Sequence, residues 1–483
     1  MKRTKHNLSH YHLTSMDMGQ LVPVGCVEVL PGDSFQHQTS ALLRVTPQLK
    51  PVMHPVAVHL KHFFVPYRLL WSGWEDFITG QSATPPPTIS GAAHTEGTLQ
   101  DYLGVYDDAS NAYSALPVRA YNMIYNEYFR DQDLVTEVSE DSTSVQRVAW
   151  NKDYFTTARP WATKGSAITL PLGDSAPVKG IGGKTTSNTF STSQTVYEAG
   201  ETGATSFSTS KAMWDSASAG QTLMETDANG YPNVYADLSS ATGMDIVEFR
   251  EAFAKQRYQE ARARYGSNYV DYLRYLGVRP SDARLQRPEY LGGGRQSVSF
   301  SEVLNTAANG GTDAIGEMGG HGIAAMRSNK YRRFFEEHGV VLTLMYVRPK
   351  AMYANGLHRK FTRTTKEDYF QRELQNIGAQ EVLNKEVYAG HSAPDDTFGF
   401  SDRYAEYRTE PSRVSAEFRN STSYDWHFGR IFSSDMALNQ TFIECDPTKR
   451  VFAEQTQDSL WVMVNHSLQA RRAVSKTAIG RIR

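Results

Sequence analysis

The chain has 483 residues, enough for two or three average domains, but no internal repeat and no proline-rich or charged linker divides it. Its 50 Lys and Arg residues nearly balance 52 Asp and Glu residues, which excludes the overall basic field of a dedicated nucleic-acid-binding protein. Cys26 and Cys445 are too few for a disulfide framework or a zinc site and indicate a reducing compartment. The N-terminus is basic without an apolar core, and the longest apolar run, residues 340–347, has a strand's length, so we expect no signal peptide and no membrane span.

The first part of the chain predicts strands followed by a helical segment. Residues 21–30 and 41–49 are rich in β-branched side chains, and residues 56–65 alternate between two sides as a strand does. Pro66 ends this pattern because it has no N–H to donate. Large apolar residues then follow at helical spacing up to Gly80, and two of them are tryptophans that need a large body to bury them.

Three further helices are predicted downstream. One opens at Pro117 and carries a single apolar stripe that we expect to pack against the body. A second has Asp245 as its N-cap and runs to Tyr265. A short third helix covers residues 269–276 and ends at Gly277.

Residues 171–243 differ in composition from the rest of the chain. Ser, Thr and Gly dominate, and three lysines face seven acidic residues. With so few large apolar residues this segment cannot bury a core, so we expect an exposed insertion with short strands and turns. Its mildly acidic balance argues against contact with phosphates. The chain is thus predicted to form one body from residues 1–170 and 244–483, interrupted by this surface insertion.

The C-terminal half returns to strong β patterns. Residues 340–347 are apolar on both sides, as in a strand with both faces buried. Thr365 and Asp368 have the spacing of a capping box and predict a helix that ends at Gly378. The last strand is predicted at residues 459–464.

Residues 465–483 contain no acidic residue and form the only strongly one-signed segment of the chain. One interpretation is a solvated chain end. The other is a mobile segment that contacts phosphates without reading bases, since each neutralised phosphate releases counterions. The N-terminus has a similar composition on a smaller scale. The candidate DNA contacts are Arg471, Arg472, Lys476, Arg481, Arg483, Lys2, Arg3 and Lys5.

No metal or cofactor site is predicted. His54, His59 and His62 resemble metal ligands, but a strand places His59 and His62 on opposite faces, and no carboxylate or cysteine lies at ligand spacing. Residues 182–185 (GGKT) resemble the end of a phosphate-binding loop, yet Val178 stands where the motif needs its first glycine. We therefore expect a flexible turn there.

No catalytic site is predicted either. Neighbouring acids such as Glu336 and Glu337, or Asp395 and Asp396, are more typical of solvated surface than of a glycosidase pair. The sequence contains no G-x-S-x-G elbow and no H-E-x-x-H motif, and neither cysteine has a catalytic setting. The protein is therefore predicted not to be an enzyme.

A family resemblance is carried by HFFVPYRLLW and by WEDFITG, which begins after two intervening residues. This stretch resembles the signature of the major capsid proteins of the microviruses, small icosahedral single-stranded DNA bacteriophages, and in particular their gokushovirus branch. Further blocks in the same order extend the resemblance over nearly the whole chain outside residues 171–243. These blocks are MGQLVPVGCVEVLPGDSF, LPVRAYNMIYNEYFRDQ, DYFTTARPWATKGSAITLPLG, GVRPSDARLQRPEYLGG, EHGVVLTLMYVRP, YDWHFGRIF and LNQTFIECDP.

The resemblance implies an all-β fold, an eight-stranded antiparallel jelly roll with long inserted loops and several helices. It also implies a structural protein of the virion, assembled in the bacterial cytoplasm with copies of itself and other phage proteins around a circular single-stranded DNA genome. The insertion matches a variable surface loop, which we expect to form a protrusion and to bind the host receptor. Chain ends on the inner wall of a shell favour the phosphate-contact interpretation of the tail.

The alternative from another class is a secreted β-rich carbohydrate-binding protein or hydrolase. The lack of a signal peptide and of a catalytic motif disfavours it.

Overall fold

The computed structural model describes residues 3–90, 95–105, 111–166, 168, 178–179, 181–184, 221–224, 235–236, 246–306 and 315–475. Their regular secondary structure is mostly antiparallel β-sheet, with some helices. The chain divides into two compact units, one made of Met1–Lys164 with Glu260–Arg483 and the other of Gly165–Gln259. Across the described ranges, no helix is long and apolar enough to cross a membrane.

The strands and helices follow in chain order. The strands are β1 (Thr4–Asn7), β2 (His10–Met16), β3 (Val22–Val29), β4 (Ser34–Gln48), β5 (Val56–Pro66), β6 (Thr88–Ile89), β7 (Tyr113–Ser114), β8 (Val178–Lys179), β9 (Ile181–Lys184), β10 (Gln221–Met224), β11 (Tyr235–Ala236), β12 (Glu289–Ser297), β13 (Ser299–Leu304), β14 (Met318–Arg327), β15 (Tyr331–Phe334), β16 (Gly339–Pro349), β17 (Ala379–Leu383), β18 (Thr397–Asp402) and β19 (Leu460–Arg472). The helices are α1 (Tyr67–Leu70), α2 (Trp74–Ile78), α3 (Leu99–Tyr102), α4 (Leu116–Tyr128), α5 (Ile246–Tyr265), α6 (Tyr269–Tyr275), α7 (Asn384–Val387) and α8 (Gln440–Ile443).

One sheet of the larger unit has seven strands, with the main order β1-β19-β4-β14-β13. β1 and β2 pair with successive parts of the same edge of β19, and β15 and β14 pair in the same way with β4. The strand predicted at residues 459–464 continues to Arg472, because β4 and β1 hold its two edges along this further length. Residues 465–472 of the predicted tail are therefore part of β19.

The second sheet has four strands in the order β12-β5-β16-β3, all antiparallel. Its inner strand β16 is buried along almost its whole length, which confirms the strand predicted at residues 340–347. The alternation predicted for residues 56–65 is confirmed as well, since the two sides of β5 contribute to different core clusters. Both faces of this sheet are thus covered.

The two sheets pack face to face through two apolar clusters. Leu60 of β5 belongs to one of them, with Leu43 of β4 and Val462 of β19. Phe64 of β5 belongs to the other, with Phe35 of β4 and Leu468 of β19. On the opposite side of the four-stranded sheet, Phe63 belongs to a cluster with Tyr121 and other residues of α4. Burial of apolar area on both faces is the main force that holds this sheet in the centre of the unit.

The helices agree only in part with the patterns in the sequence. The helix predicted from Pro117 is α4, anchored where the Tyr121 hydroxyl donates to the Leu21 carbonyl oxygen at 2.8 Å. The two helices after residue 245 are confirmed as α5 and α6. The segment after Pro66 is not one helix but the short α1 and α2, with Trp71 between them.

The helix predicted from Thr365 to Gly378 is wrong. The Thr365 backbone N–H donates to Asp368 Oδ2 at 2.8 Å, as in a capping box, but only 3-10 turns follow. Between the turns, the Tyr404 hydroxyl accepts from the Gln371 backbone N–H at 3.0 Å and donates to the Tyr369 carbonyl oxygen at 3.2 Å. A distant side chain thus satisfies backbone groups that a helix would have paired internally.

The unit Gly165–Gln259 is described only in its short strands, the residues near 165 and the first part of α5. β9 pairs with β10, and β8 pairs with β11. Residues 182–184 lie inside β9, so the GGKT sequence is in part a paired strand and not the flexible turn that its composition predicted. The rest of residues 171–243 lies outside the described residues.

Candidate nucleic-acid interface

The two ends of the chain meet in the seven-stranded sheet. β1 pairs antiparallel with the last residues of β19, and the register places Lys5 directly opposite Arg471. Both side chains are exposed. Directly opposed residues of an antiparallel pair have Cβ atoms roughly 5 Å apart, and like charges there repel each other. An anion that binds between them would relieve this repulsion.

Arg3 extends the same basic site. Its Nη1 donates to the Gly32 carbonyl oxygen at 2.8 Å and to Ser34 Oγ at 3.1 Å. Its guanidinium also lies 5.3 Å from the centre of the Phe334 ring. Ser34 is paired with Arg471, so Arg3, Lys5 and Arg471 form one exposed group that we call the terminal basic cluster.

Arg472 has a different environment from Arg471. Its Nη2 lies 2.8 Å from Asp33 Oδ2, whose side chain is fully buried, and 3.2 Å from the Glu28 carbonyl oxygen. The guanidinium also lies 5.7 Å from the centre of the Phe35 ring. Contact between Arg472 and a phosphate would have to compete with this ion pair. The remaining candidates, Lys2, Lys476, Arg481 and Arg483, lie outside the described residues.

The three histidines considered as metal ligands have separate environments. His54 Nε2 lies 2.7 Å from the Lys350 carbonyl oxygen. His59 stacks on Tyr346 with ring centres 4.7 Å apart, while His62 faces the core between the sheets. In the described part of the chain, no three His, Cys, Asp or Glu residues are grouped as ligands for a metal ion.

His62 belongs to a buried histidine cluster that the sequence reasoning missed. His37 Nε2 lies 3.1 Å from His466 Nδ1, and the rings of His37 and His62 are 4.9 Å apart. Burial lowers the pKa of His37 to about 3 and that of His466 to about 4, so both rings are neutral at pH 7. The signal in the sequence was a histidine among the mostly apolar inward positions of three strands, β4, β5 and β19.

Two buried acidic residues were also missed, and each is paired with an arginine. Glu386 lies 3.3 Å from Arg359 and accepts a hydrogen bond from the Tyr154 hydroxyl at 3.1 Å. Burial raises the pKa of Glu386, although the Leu383 backbone N–H and Arg359 oppose this. Glu406 lies 3.3 Å from Arg363.

Two of the other acids considered for catalysis have structural partners as well. Glu337 contacts Arg68 at 2.5 Å, and Asp395 contacts Lys385 at the same distance. Burial raises the pKa of the Cys445 thiol to about 12, which removes its nucleophilic form at pH 7. The described acids and thiol therefore support packing and ion pairing more directly than catalysis.

The comparisons with known proteins identify a family that covers almost the whole chain. The family model "Capsid protein (F protein)" matches residues 1–479. The chain is 35% identical to capsid protein VP1 of Bdellovibrio phage phiMH2K over 92% of this chain and 88% of the relative. It is 31% identical to VP1 of Chlamydia phage 1 over 95% and 92% of the two chains. It is 22% identical to capsid protein F of Escherichia phage G4 over 86% and 82%.

The resemblance seen in the sequence blocks is thereby confirmed over almost the whole length. Capsid proteins self-assemble, and the chain is a structural component of the virion and not an enzyme. The chain belongs to the microvirus capsid protein family, whose F and VP1 members are the major capsid proteins of single-stranded DNA phages.

Proposed function

We propose that this chain folds as an eight-stranded jelly roll and closes, with identical copies, into the smallest icosahedral shell around a circular single-stranded DNA genome. The observation that carries the fold is the strand order. If β1 with β2 and β14 with β15 each count as one interrupted strand, the sheet orders are β1/β2-β19-β4-β14/β15 and β12-β5-β16-β3. Consecutive strands then alternate mostly between the two sheets, as a jelly roll requires, and β13 is an added edge strand.

The shell needs contacts that join unlike surfaces of neighbouring copies, because only such contacts close into a multi-subunit ring or shell. Exposed aromatic residues suited to such contacts are found at several places on the larger unit. Other phage structural proteins are expected to take part, with assembly in the bacterial cytoplasm.

The basic chain ends are proposed to bind the phosphates of the DNA. The pairing of β1 with β19 supports this assignment, because it joins cations from both termini into the terminal basic cluster without a described carboxylate among them. Lys2, Arg472, Lys476, Arg481 and Arg483 are further candidates. Such contacts neutralise phosphate charge without selecting a base sequence.

The insertion at residues 171–243 is assigned to the outer surface, where copies cluster at the three-fold axes and bind the host receptor. The separation of Gly165–Gln259 as a compact unit supports this assignment. Its acidic balance, three lysines against seven acidic residues, also suits a surface away from the genome.

The proposal is tested by electron microscopy of particles assembled from the full-length chain, with partner phage proteins added where needed. We expect closed shells of uniform size. A chain that remains monomeric in the presence of all virion proteins would contradict the shell.

The DNA assignment is tested with Lys5, Arg471, Lys476, Arg481 and Arg483 changed to Gln, while Arg472 is kept because of its pair with Asp33. The slope of log affinity for single-stranded DNA against log salt concentration should become shallower by about 0.7 per lost phosphate contact. The matched control also removes five charges by changing exposed arginines elsewhere to Gln, namely Arg257, Arg279, Arg284, Arg372 and Arg419. An equal effect of both variants would show that the ends have no special role.

A further inference from the structure

The seven-stranded sheet has one face packed on the other sheet and one face that points away from it. We call this second face the outer face because it points away from the other sheet, and the name does not refer to the outside of the shell. On it, the register forms continuous rows of side chains across the strands. Trp461 of β19 is paired with Arg44 of β4, and Arg44 with Ile323 of β14. Four residues further along β19, Tyr11 of β2 is paired with Asn465. The terminal basic cluster occupies the far end of the same face.

The outer face carries positive charge and no negative charge. Its cations include Arg44, Arg327 and the terminal basic cluster, and none of the described outward side chains of the seven strands is Asp or Glu. Glu302 of β13 lies on the opposite side, which it shares with the core residue Phe300. Asp458 lies at the rim, where it accepts a hydrogen bond from Ser15 Oγ at 2.6 Å.

The same face exposes aromatic rings between the cations. Tyr11 is 69% exposed and Trp461 is 48% exposed, although large rings on a stable strand are normally covered on at least one side. Their strand positions put them roughly 13 Å apart along β19. Trp461 is directly beside Arg44, and Arg327 occupies the same row as Tyr11 through Ser40 and Asn465. Each of these two rows therefore carries one ring and one guanidinium group.

We propose that the outer face is a platform for single-stranded DNA, on which Tyr11 and Trp461 stack with unpaired bases while Arg44 and Arg327 contact the phosphates between them. This inference rests on the proposed function and extends its DNA contact from the chain ends over roughly 33 Å of sheet, the length from Trp461 to Arg471. Stacking on an aromatic ring is tolerant of sequence because every base has a flat face. A capsid that packages one genome without reading it needs this kind of contact.

Charge decides between DNA and a protein occupant. Leu13 and Met463 lie beside the rings and would also suit a second copy of the chain. However, a protein partner would have to supply several carboxylates, and this chain is almost neutral as a whole, with 50 basic and 52 acidic residues. Single-stranded DNA supplies a negative charge at every nucleotide together with an unpaired base, so it satisfies both kinds of side chain.

The test measures binding of the full-length protein to a fluorescent oligo(dT) and to a duplex of the same length over a range of salt concentrations. We expect Tyr11→Leu with Trp461→Leu to weaken oligo(dT) binding by about five-fold or more per ring, with an unchanged salt slope. Arg44→Gln with Arg327→Gln should instead lower the slope by about 1.4, or about 0.7 per contact. Duplex binding should respond to the charge change but not to the loss of the rings.

Two matched variants act as controls. Trp461→Phe keeps a ring and should bind like the wild type, and Phe361→Leu removes a ring that is 69% exposed outside this face. Unchanged oligo(dT) binding by both double variants would overturn the inference. Loss of shell formation with normal DNA binding would overturn it as well, because the face would then be an interface between copies. A protein that binds oligo(dT) through this face but never forms shells would refute the proposed function alone.

Discussion

The two large sheets of the larger unit differ in what covers them. In the four-stranded sheet, neighbouring residues of β5 point to opposite faces and both are buried, as Phe63 and Phe64 illustrate. In the seven-stranded sheet, buried residues alternate with exposed ones, as Val462 and Met463 do on β19. A sheet covered on both faces is constrained by packing at every position, whereas a sheet with one open face keeps half of its positions available for binding.

The interior between the two sheets is also not purely apolar. His37 and His466 come from the seven-stranded sheet and His62 from the four-stranded sheet, and all three are almost inaccessible. Two of their contacts cross between the sheets: His466 Nε2 lies 2.8 Å from the Val24 carbonyl oxygen on β3, and His62 Nε2 lies 3.2 Å from Ser328 Oγ, directly after β14. Because hydrogen bonds are directional, these buried polar contacts fix how one sheet is oriented on the other, in addition to the stabilisation from apolar burial.

The largest expected difference in the free energy of unfolding is between a variant in a buried cluster and a variant on the outer face. Phe63→Ala should lower the free energy of unfolding by about 3–5 kcal/mol, because a cavity remains in the cluster between β5 and α4. Met463→Ala on the outer face should change it by no more than about 0.5 kcal/mol. Urea denaturation of the full-length chain, followed by tryptophan fluorescence, measures both. Similar losses for the two variants would show that the outer face is packed.

The next comparison uses two neighbouring arginines on β19. Arg472→Gln should cost about 3 kcal/mol, because it leaves the buried Asp33 carboxylate without its ion pair. Arg471→Gln should be nearly neutral, since Arg471 is exposed. Adding Asp33→Asn to Arg472→Gln should recover part of the loss, because the uncompensated charge is removed. A neutral Arg472→Gln variant would show that this pair is not needed to hold the end of the strand.

The last comparison concerns pH, for which the expected effect of one histidine over one pH unit is smaller than the two losses above. Burial lowers the pKa of His37 and His466 in the folded chain to about 3 and about 4, so the unfolded chain binds more protons below about pH 6.5. The contribution of these two histidines to stability should be constant above that value and fall with decreasing pH toward the folded pKa values, by about 1.4 kcal/mol per pH unit for each histidine.

This slope is measured by urea denaturation at several pH values. His37→Gln should make the slope shallower, whereas His321→Gln, which changes an exposed histidine, should leave it as it is. A slope that His37→Gln does not alter would mean that other groups dominate the acid response.

The sequence indicated those strands whose pattern is complete within a short stretch. Residues 340–347 had to form a doubly buried strand because almost every side chain is apolar, and residues 56–65 showed two faces because their alternation is regular. The helix expected after Thr365 failed for the opposite reason, since the capping signal is local but the Tyr404 hydroxyl comes from far along the chain.

What the sequence determined by itself was the kind of residue at each end of the chain and, through several blocks in a fixed order, the capsid family. Only the tertiary structure decided which of the cations share a face. Alternation along β19 separates Arg471 from Arg472, but it cannot say which of them faces water. That choice follows from pairing with β1 and β4, whose partners lie more than 400 residues away in the chain, and long-range register of this kind is set by core burial and not by any local pattern.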